Sequence, residues 1–252
     1  MELTDNMDRV LVIIPAYNEA GSIRGVVEEL LEICPEADYL VVTDGSTDGT
    51  PEICREERYH YLRLPVNLGL AGCFQAGMKY AYQNGYAYAV QFDGDGQHRP
   101  EYIAPMLAKI REGYDIVLGS RFLQERAGTE NAGGGPRKQQ PEETAGMKGM
   151  RSWGSRLIRM AIRCTTGAVI TDPTCGLRMY NRRMIDDFAN RLNYAPEPDT
   201  VSFLIKNGAR AAEVPVTVRE RESGQSYLKP VSAAKYMLKM LVSILLVQNF
   251  RI

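Results

Sequence analysis

Val10-Leu11-Val12-Ile13-Ile14-Pro15-Ala16-Tyr17-Asn18-Glu19 is a short β-branched apolar run that stops at a polar cluster. An apolar run without alternation fits a strand covered on both faces, as in a parallel sheet. Outward from it, residues 39–42, 61–64, 86–92 and 115–118 read as further strands. Helical spacing recurs between them. Residues 19–32 carry the stripe Ile23, Val26, Val27, Leu30 and Leu31, and residues 70–82 and 100–111 read as helices. Thr50-Pro51 reads as a helix start, with Thr as N-cap and Pro at the first helical position. The β-α-β-α order predicts an α/β fold, a mostly parallel central sheet with helices on both faces.

Polar clusters follow three of these strands: Pro15-Ala16-Tyr17-Asn18-Glu19, Asp44-Gly45-Ser46 and Asp93-Gly94-Asp95. All three fall at the carboxyl ends of parallel strands, the edge where open α/β sheets bind ligands. In Gln91-Phe92-Asp93-Gly94-Asp95-Gly96-Gln97 the two carboxylates are two residues apart. On an extended segment they point to one side, with Cα atoms roughly 7 Å apart at about 3.3 Å per residue. One hard divalent cation fits that gap if a ligand phosphate supplies further oxygens. Asp-Gly-Asp also occurs in plain surface turns; three clusters converging on one edge favour a site.

A length of 252 residues with 44% hydrophobic content fits one α/β domain with a large core. Thirty basic residues against 31 acidic ones give no sign of nucleic-acid binding. The five cysteines lack Cys-x-x-Cys spacing and read as buried reduced thiols of a cytosolic protein. With only His60 and His98, a histidine-built zinc site is not expected. Residues 1–9 are polar and unlike a signal peptide. The longest apolar run, 240–247, is too short to span a bilayer.

Residues 123–149 are rich in Gly, Glu, Gln and Lys without apolar period, and read as a mobile loop, a lid or a disordered segment. A helix resumes at Met150, with Trp153, Leu157, Met160 and Ala161 on its apolar side. Arg156, Arg159 and Arg163 share another face, either a solvated surface or a phosphate-binding one. Residues 229–252 read as a C-terminal amphipathic helix after a domain of 1–228. Its apolar side carries Val231, Met237, Leu238, Leu241, Ile244 and Leu245, with Lys229, Lys235, Lys239 and Arg251 about it. It lies in a lipid headgroup layer or packs on protein.

Neither Gly-x-Gly-x-x-Gly nor Gly-x4-Gly-Lys-Ser/Thr follows the first strand. Phosphates must then be held by a metal and arginines, unlike in dehydrogenases and P-loop ATPases. Asp44 stands where a nucleobase edge or ribose would be read, and Tyr17 where a base would pack.

Taken together, several motifs resemble the family 2 glycosyltransferases of the GT-A fold, in particular the dolichyl- and polyprenyl-phosphate sugar transferases. They are Ile14-Pro15-Ala16-Tyr17-Asn18-Glu19, Asp44-Gly45-Ser46-Thr47-Asp48-Gly49-Thr50, Asn67-Leu68-Gly69, Asp93-Gly94-Asp95-Gly96-Gln97-His98 and Gly119-Ser120-Arg121. Asp172-Pro173-Thr174-Cys175-Gly176-Leu177-Arg178, Glu213-Val214-Pro215-Val216 and Arg221-x-x-Gly224-x-Ser226 complete the series. The resemblance implies a nucleoside pocket lined by Pro15, Tyr17, Glu19 and Asp44. It implies Mg²⁺ or Mn²⁺ on Asp93, Asp95 and Gln97 beside Gly94, and phosphate contacts from Arg121 and Arg221. Tyr227 stands where the family often has Lys, and Cys175 where it usually has Ser.

The expected reaction is inverting, metal-dependent transfer of a sugar from a UDP- or GDP-sugar to a polyprenyl phosphate for cell-surface glycan synthesis. Asp172, Glu197 and Asp199 are candidate general bases, or structural caps; a phosphate acceptor would need none. Alternatives are a transferase extending a polysaccharide on a sugar hydroxyl, a sugar nucleotidyltransferase, or a non-catalytic nucleotide-sugar-binding subunit. The expected location is the inner face of the cell membrane, peripherally. A small integral-membrane partner and a homo-oligomer stay open.

Overall fold

The computed structural model describes residues 9–123, 145–219 and 230–249. Seven strands form one sheet in the order β3-β2-β1-β4-β6-β5-β7. They are β1 (Val10–Ala16), β2 (Asp38–Asp44), β3 (Tyr61–Leu64), β4 (Tyr88–Gln91), β5 (Ile116–Ser120), β6 (Arg178–Asn181) and β7 (Ala211–Pro215). All neighbours pair parallel except β6, which runs antiparallel between β4 and β5.

The period-2 geometry of β1 divides the core. Val10, Val12, Ile14 and Ala16 face one layer, and Leu11 and Ile13 the other. The first layer is closed by α1 (Ile23–Ile33), α2 (Thr50–Glu56) and α4 (Ile103–Ile110). The second is closed by α3 (Gly69–Gln83), α6 (Arg182–Asn190) and α7 (Pro198–Lys206). Helices therefore cover both faces, as the apolar strands require. Each fully buried Leu, Ile or Val in these layers contributes about 2 kcal/mol. Gly77 lets α3 cross β1 closely, since a Cβ there would overlap Ile13. A third cluster joins α5 (Ala145–Thr166) to α8 (Pro230–Leu245) through Ile158, Ile162, Met240 and Ile244.

Four local expectations change. The first helix starts at Ile23, because residues 17–22 form a loop bonded to its neighbours. Gly49, not Thr50, is the N-cap of α2; the Asp48 carboxylate accepts from Thr50 N (3.0 Å) and Thr50 Oγ1 (2.6 Å) instead. The fifth helix begins at Ala145, and it turns Ile158, Ala161 and Ile162 inward while Leu157 and Met160 stay exposed. Cys164 is exposed, whereas the other four thiols are buried. Of the expected loop, residues 124–144 lie outside the described residues.

Candidate active site

The carboxyl ends of β1, β2, β4 and β5 and the amino end of β6 share one edge of the sheet. Their loops are bonded to one another there. Ala20 N donates to Asp48 Oδ2 (3.0 Å) and Glu19 N to Thr50 Oγ1 (2.9 Å), which ties the β1 loop to the β2 loop. Asn18, at φ +57°, donates its N–H to Ser46 Oγ (3.1 Å) and accepts from Thr47 N (2.8 Å). Ser22 Oγ lies 2.8 Å from both Gly94 O and Glu19 Oε2, so it reaches the β4 loop. Gly94 fits because a Cβ would stand 3.0 Å from Pro15 O. Pro15, Tyr17, Glu19, Asp44, Asp93, Gly94, Asp95, Gln97 and Arg121 all fall on this edge. Arg221, Gly224, Ser226 and Tyr227 lie outside the described residues.

Asp44 is almost fully buried, and its two oxygens accept from Leu68 N (2.7 Å) and Gly69 N (2.8 Å). It caps the start of α3, a role that competes for the lone pairs a nucleobase would use. Gly45 (φ +61°) lets residues 66–67 pass directly above it.

Residues 93–96 form a turn with Gly96 at φ +77°, so the strand alternation expected for the two aspartates does not operate. Asp93 keeps 36% of its side-chain exposure. Asp95 is buried and accepts from Gln97 N (3.1 Å). Gln97 donates through Nε2 to Arg219 O (3.4 Å). The Asp93 carboxylate is held by Gln91 Nε2 (3.4 Å) on Oδ1 and His98 Nε2 (3.1 Å) on Oδ2. Burial pushes its pKa up, but the hydrogen bond and charge of His98, with smaller help from Gln91 and Arg178, outweigh this and hold it below the ordinary value. A Cβ on Gly176 would overlap Asp93 Oδ2 and stand 3.0 Å from His98 Nε2, so only glycine leaves room for the pair.

This donor set fits a hard divalent cation. It offers carboxylate oxygen, one ionised group open to the cleft, and a cradle kept clear by a glycine. Among the described residues no three His, Cys, Asp or Glu form a closed cage. Coordination would thus be completed by water and ligand phosphate, as magnesium sites require.

Arg121 is fixed on the opposite side of the edge. Its Nε and Nη2 bond Asp172 at 2.6 and 2.9 Å, and Nη2 also bonds Thr174 Oγ1 at 3.0 Å. Nη1 has no partner among the described residues. Asp172 is fully buried and is itself anchored, since its N–H donates to Glu213 Oε1 (2.8 Å). Glu213 also accepts from Thr171 N and Oγ1 at 2.8 and 2.9 Å. Burial raises the Glu213 pKa, and hydrogen bonds from Thr171 and Asp172 only partly offset it. Beside Arg121, the Phe122 ring has the Arg159 guanidinium 5.1 Å from its centroid. That contact brings α5 to the site. Arg156 and Arg163 are exposed.

Two candidate bases are engaged structurally. Asp172 is locked in the bidentate pair, and Asp199 accepts from Thr200 N (2.9 Å) and Ser243 Oγ (2.5 Å). His98, Gly176, Arg178 and Glu213 receive no individual role from sequence reasoning; their presence in the motifs is the only signal. Arg178 is a buried staple: Nε bonds Cys175 O (2.9 Å), Nη2 bonds Pro173 O (2.9 Å), and Nη1 bonds Pro196 O.

The family model described as glycosyl transferase family 2 matches residues 11–188. The chain belongs to this family. The transferase is 30% identical over 248 residues to polyprenol monophosphomannose synthase of Mycolicibacterium smegmatis, covering 92% of this chain and 85% of that protein. It is 34% identical over 227 residues to undecaprenyl-phosphate mannosyltransferase of Micrococcus luteus, covering 86% of each. Its fold resembles that of glucosyl-3-phosphoglycerate synthase from Mycobacterium tuberculosis, crystallised with Mn²⁺, UDP-glucose and phosphoglyceric acid. There the TM-score is 0.65 at 16% identity, over 98% of this chain and 84% of that one. The fold is therefore GT-A, as the motifs imply.

Proposed function

We propose that this transferase moves a sugar from a UDP- or GDP-sugar to a polyprenyl phosphate, with inversion at the anomeric carbon. The observation that carries this reading is the state of the carboxylates behind Arg121 and on α7. Asp172 is paired, Glu213 is committed to three donors, and Asp199 is turned to Ser243 and Thr200. A sugar hydroxyl would need a base, and of the expected candidates Asp172 and Asp199 are committed in this way, while Glu197 lines the groove beside α8. A phosphate monoester needs none, because its second pKa is near 6 and it is already a nucleophile at neutral pH. The names of the two relatives, both acting on polyprenyl phosphates, support the same acceptor.

In this reading Pro15, Tyr17, Glu19 and Asp44 line the nucleoside pocket. Asp93, Asp95 and Gln97 would hold Mg²⁺ or Mn²⁺, and the cation would supply positive charge against the diphosphate leaving group. Gln91 and His98 fix the Asp93 carboxylate, and Asp172 aims Arg121. The guanidinium gives charge-assisted hydrogen bonds to phosphate from its open Nη1 edge. Arg221 is expected to add a second such contact. Fixed charges of this kind act where charge grows during bond cleavage, usually the largest catalytic contribution. Among the described residues no helix is long and apolar enough to cross a membrane. We place the enzyme at the inner membrane face as a peripheral protein.

The test is a transfer assay with radiolabelled UDP- and GDP-sugars, undecaprenyl phosphate and an oligosaccharide acceptor. Label should enter the organic-extractable lipid fraction. Label found on the oligosaccharide alone rejects the reading.

A further inference from the structure

Glu213 is the one charged side chain of the motif Glu213-Val214-Pro215-Val216. It sits on β7, the edge strand, in register with Leu118 of β5. Both of its oxygens are turned to the two residues that precede Pro173. Oε1 accepts from Asp172 N at 2.8 Å, and Oε2 accepts from Thr171 N at 2.8 Å and Thr171 Oγ1 at 2.9 Å.

A second path runs from the same carboxylate to the backbone about Arg121. The Thr171 hydroxyl has a single proton, and an ionised Glu213 can only accept, so that proton goes to Oε2. Ser120 Oγ lies 2.6 Å from Thr171 Oγ1 and must then be the donor between the two hydroxyls. Ser120 Oγ in turn accepts from Phe122 N at 3.3 Å. The chain from Phe122 N–H through Ser120 and Thr171 thus has one direction, and it ends on a group that cannot donate. Ser120 is fully buried and Thr171 nearly so, which makes the chain a satisfied internal network that rigidifies its members.

Arg121 is therefore held from two sides by one carboxylate. Its neighbours Ser120 and Phe122 are fixed through the hydroxyls. Its own N–H and its Nε are fixed by Asp172, whose amide Glu213 anchors. We propose that Glu213 is a positioning residue for sugar transfer, whose ionised carboxylate sets where the Arg121 guanidinium meets phosphate. This assignment rests on the phosphate contact given to Arg121 above. Glutamine cannot take its place. Whichever way the amide is turned, its NH₂ faces the N–H of residue 171 or 172, and two donors are left without an acceptor.

The test uses E213Q in the full chain, with two readouts. The first is the Arg121 Nε–H magnetic resonance signal of protein made with isotopically labelled arginine, assigned by its absence in R121K. That nitrogen lies 2.6 Å from Asp172 Oδ2, so its proton shift reports the bond directly. The signal should move in E213Q with no substrate present. The second is kcat/KM for transfer from a UDP- or GDP-sugar to undecaprenyl phosphate. It should fall by about 100-fold, the scale of a misplacement of about 1 Å. Because Glu213 acts through Arg121, E213Q should cost little more in an R121K background. A carboxylate that served stability alone would lower the urea midpoint, leave the Arg121 signal in place and give rate losses that multiply. An unmoved signal or multiplying losses overturns the proposal; where R121K leaves no measurable rate, the signal decides. Should E213Q fail to fold, T171V carries the test. It keeps both amide bonds to Glu213 and cuts only the hydroxyl chain, so the signal should still move and kcat/KM still fall; no change in either overturns the proposal. No transfer to lipid by the wild type overturns the function itself and leaves the resonance to judge Glu213.

Discussion

His98 reaches Asp93 through Nε2, while its Nδ1 is buried with no hydrogen-bond partner among the described residues. The imidazole therefore has one polar task, and the Phe92 ring, 5.9 Å away edge-on, fixes its plane. Partners that orient a metal-binding carboxylate are worth about 10–100-fold in metal affinity. His98→Ala should weaken Mn²⁺ binding to the nucleotide complex by about that factor. His98→Gln, which keeps a donor at similar reach, should regain most of it. Electron paramagnetic resonance of free Mn²⁺ reads this without turnover; equal affinities in wild type and His98→Ala would sink the idea. At Arg121 the two-point bond to a fully buried carboxylate makes a second prediction. Arg121→Ala leaves Asp172 charged and unpaired, at a cost of about 3 kcal/mol in urea denaturation. Arg121→Lys should cost less, because charge survives while the fork is lost. Identical midpoints for all three proteins would show that the pair holds nothing.

At the scale of elements, the short helix α2 depends on Asp48 for its start and for its tie to the β1 loop. Burial raises the Asp48 pKa, but bonds from Thr50 Oγ1, Ala20 N and Thr50 N outweigh it, so the net shift is downward from 3.8. A carboxylate that binds its proton less tightly when folded stabilises the protein above its unfolded pKa. That contribution disappears as pH falls through the lower, folded value. Asp48→Asn should cost about 1 kcal/mol at neutral pH, a typical capping loss. It should also lose less stability than wild type on acidification from about pH 5 to about pH 2. Parallel stability curves for the two proteins across that range would contradict the assignment. The same helix shows how local signals mislead. Thr50 looks like a cap by type and position, yet its hydroxyl serves Asp48 and the amide of Glu19, 31 residues away. β6 is also hard to read. It has four residues, runs against its neighbours, and opens with an arginine that proves to be buried.

For the whole molecule, substrate and fold should stabilise each other. A nucleoside diphosphate with Mn²⁺ at about 100 times Kd should add about 2.7 kcal/mol, visible as a raised Tm. Asp93→Asn should keep any nucleotide effect but lose the Mn²⁺ increment. A melting temperature insensitive to Mn²⁺ with every nucleoside diphosphate would refute metal-assisted binding. The layered fold was legible from residues 10–16 outward, because a parallel strand buried on both faces is apolar throughout. The placement of Tyr17, Asp44 and Asp93 at one edge was legible too, since polar clusters after such strands have one edge to share. The Asp172–Arg121 pair and the Glu213 anchor were decided by tertiary structure alone. Each rests on contacts between residues far apart in the chain, 51 positions for Arg121 and Asp172, and such contacts leave no periodic trace in local sequence.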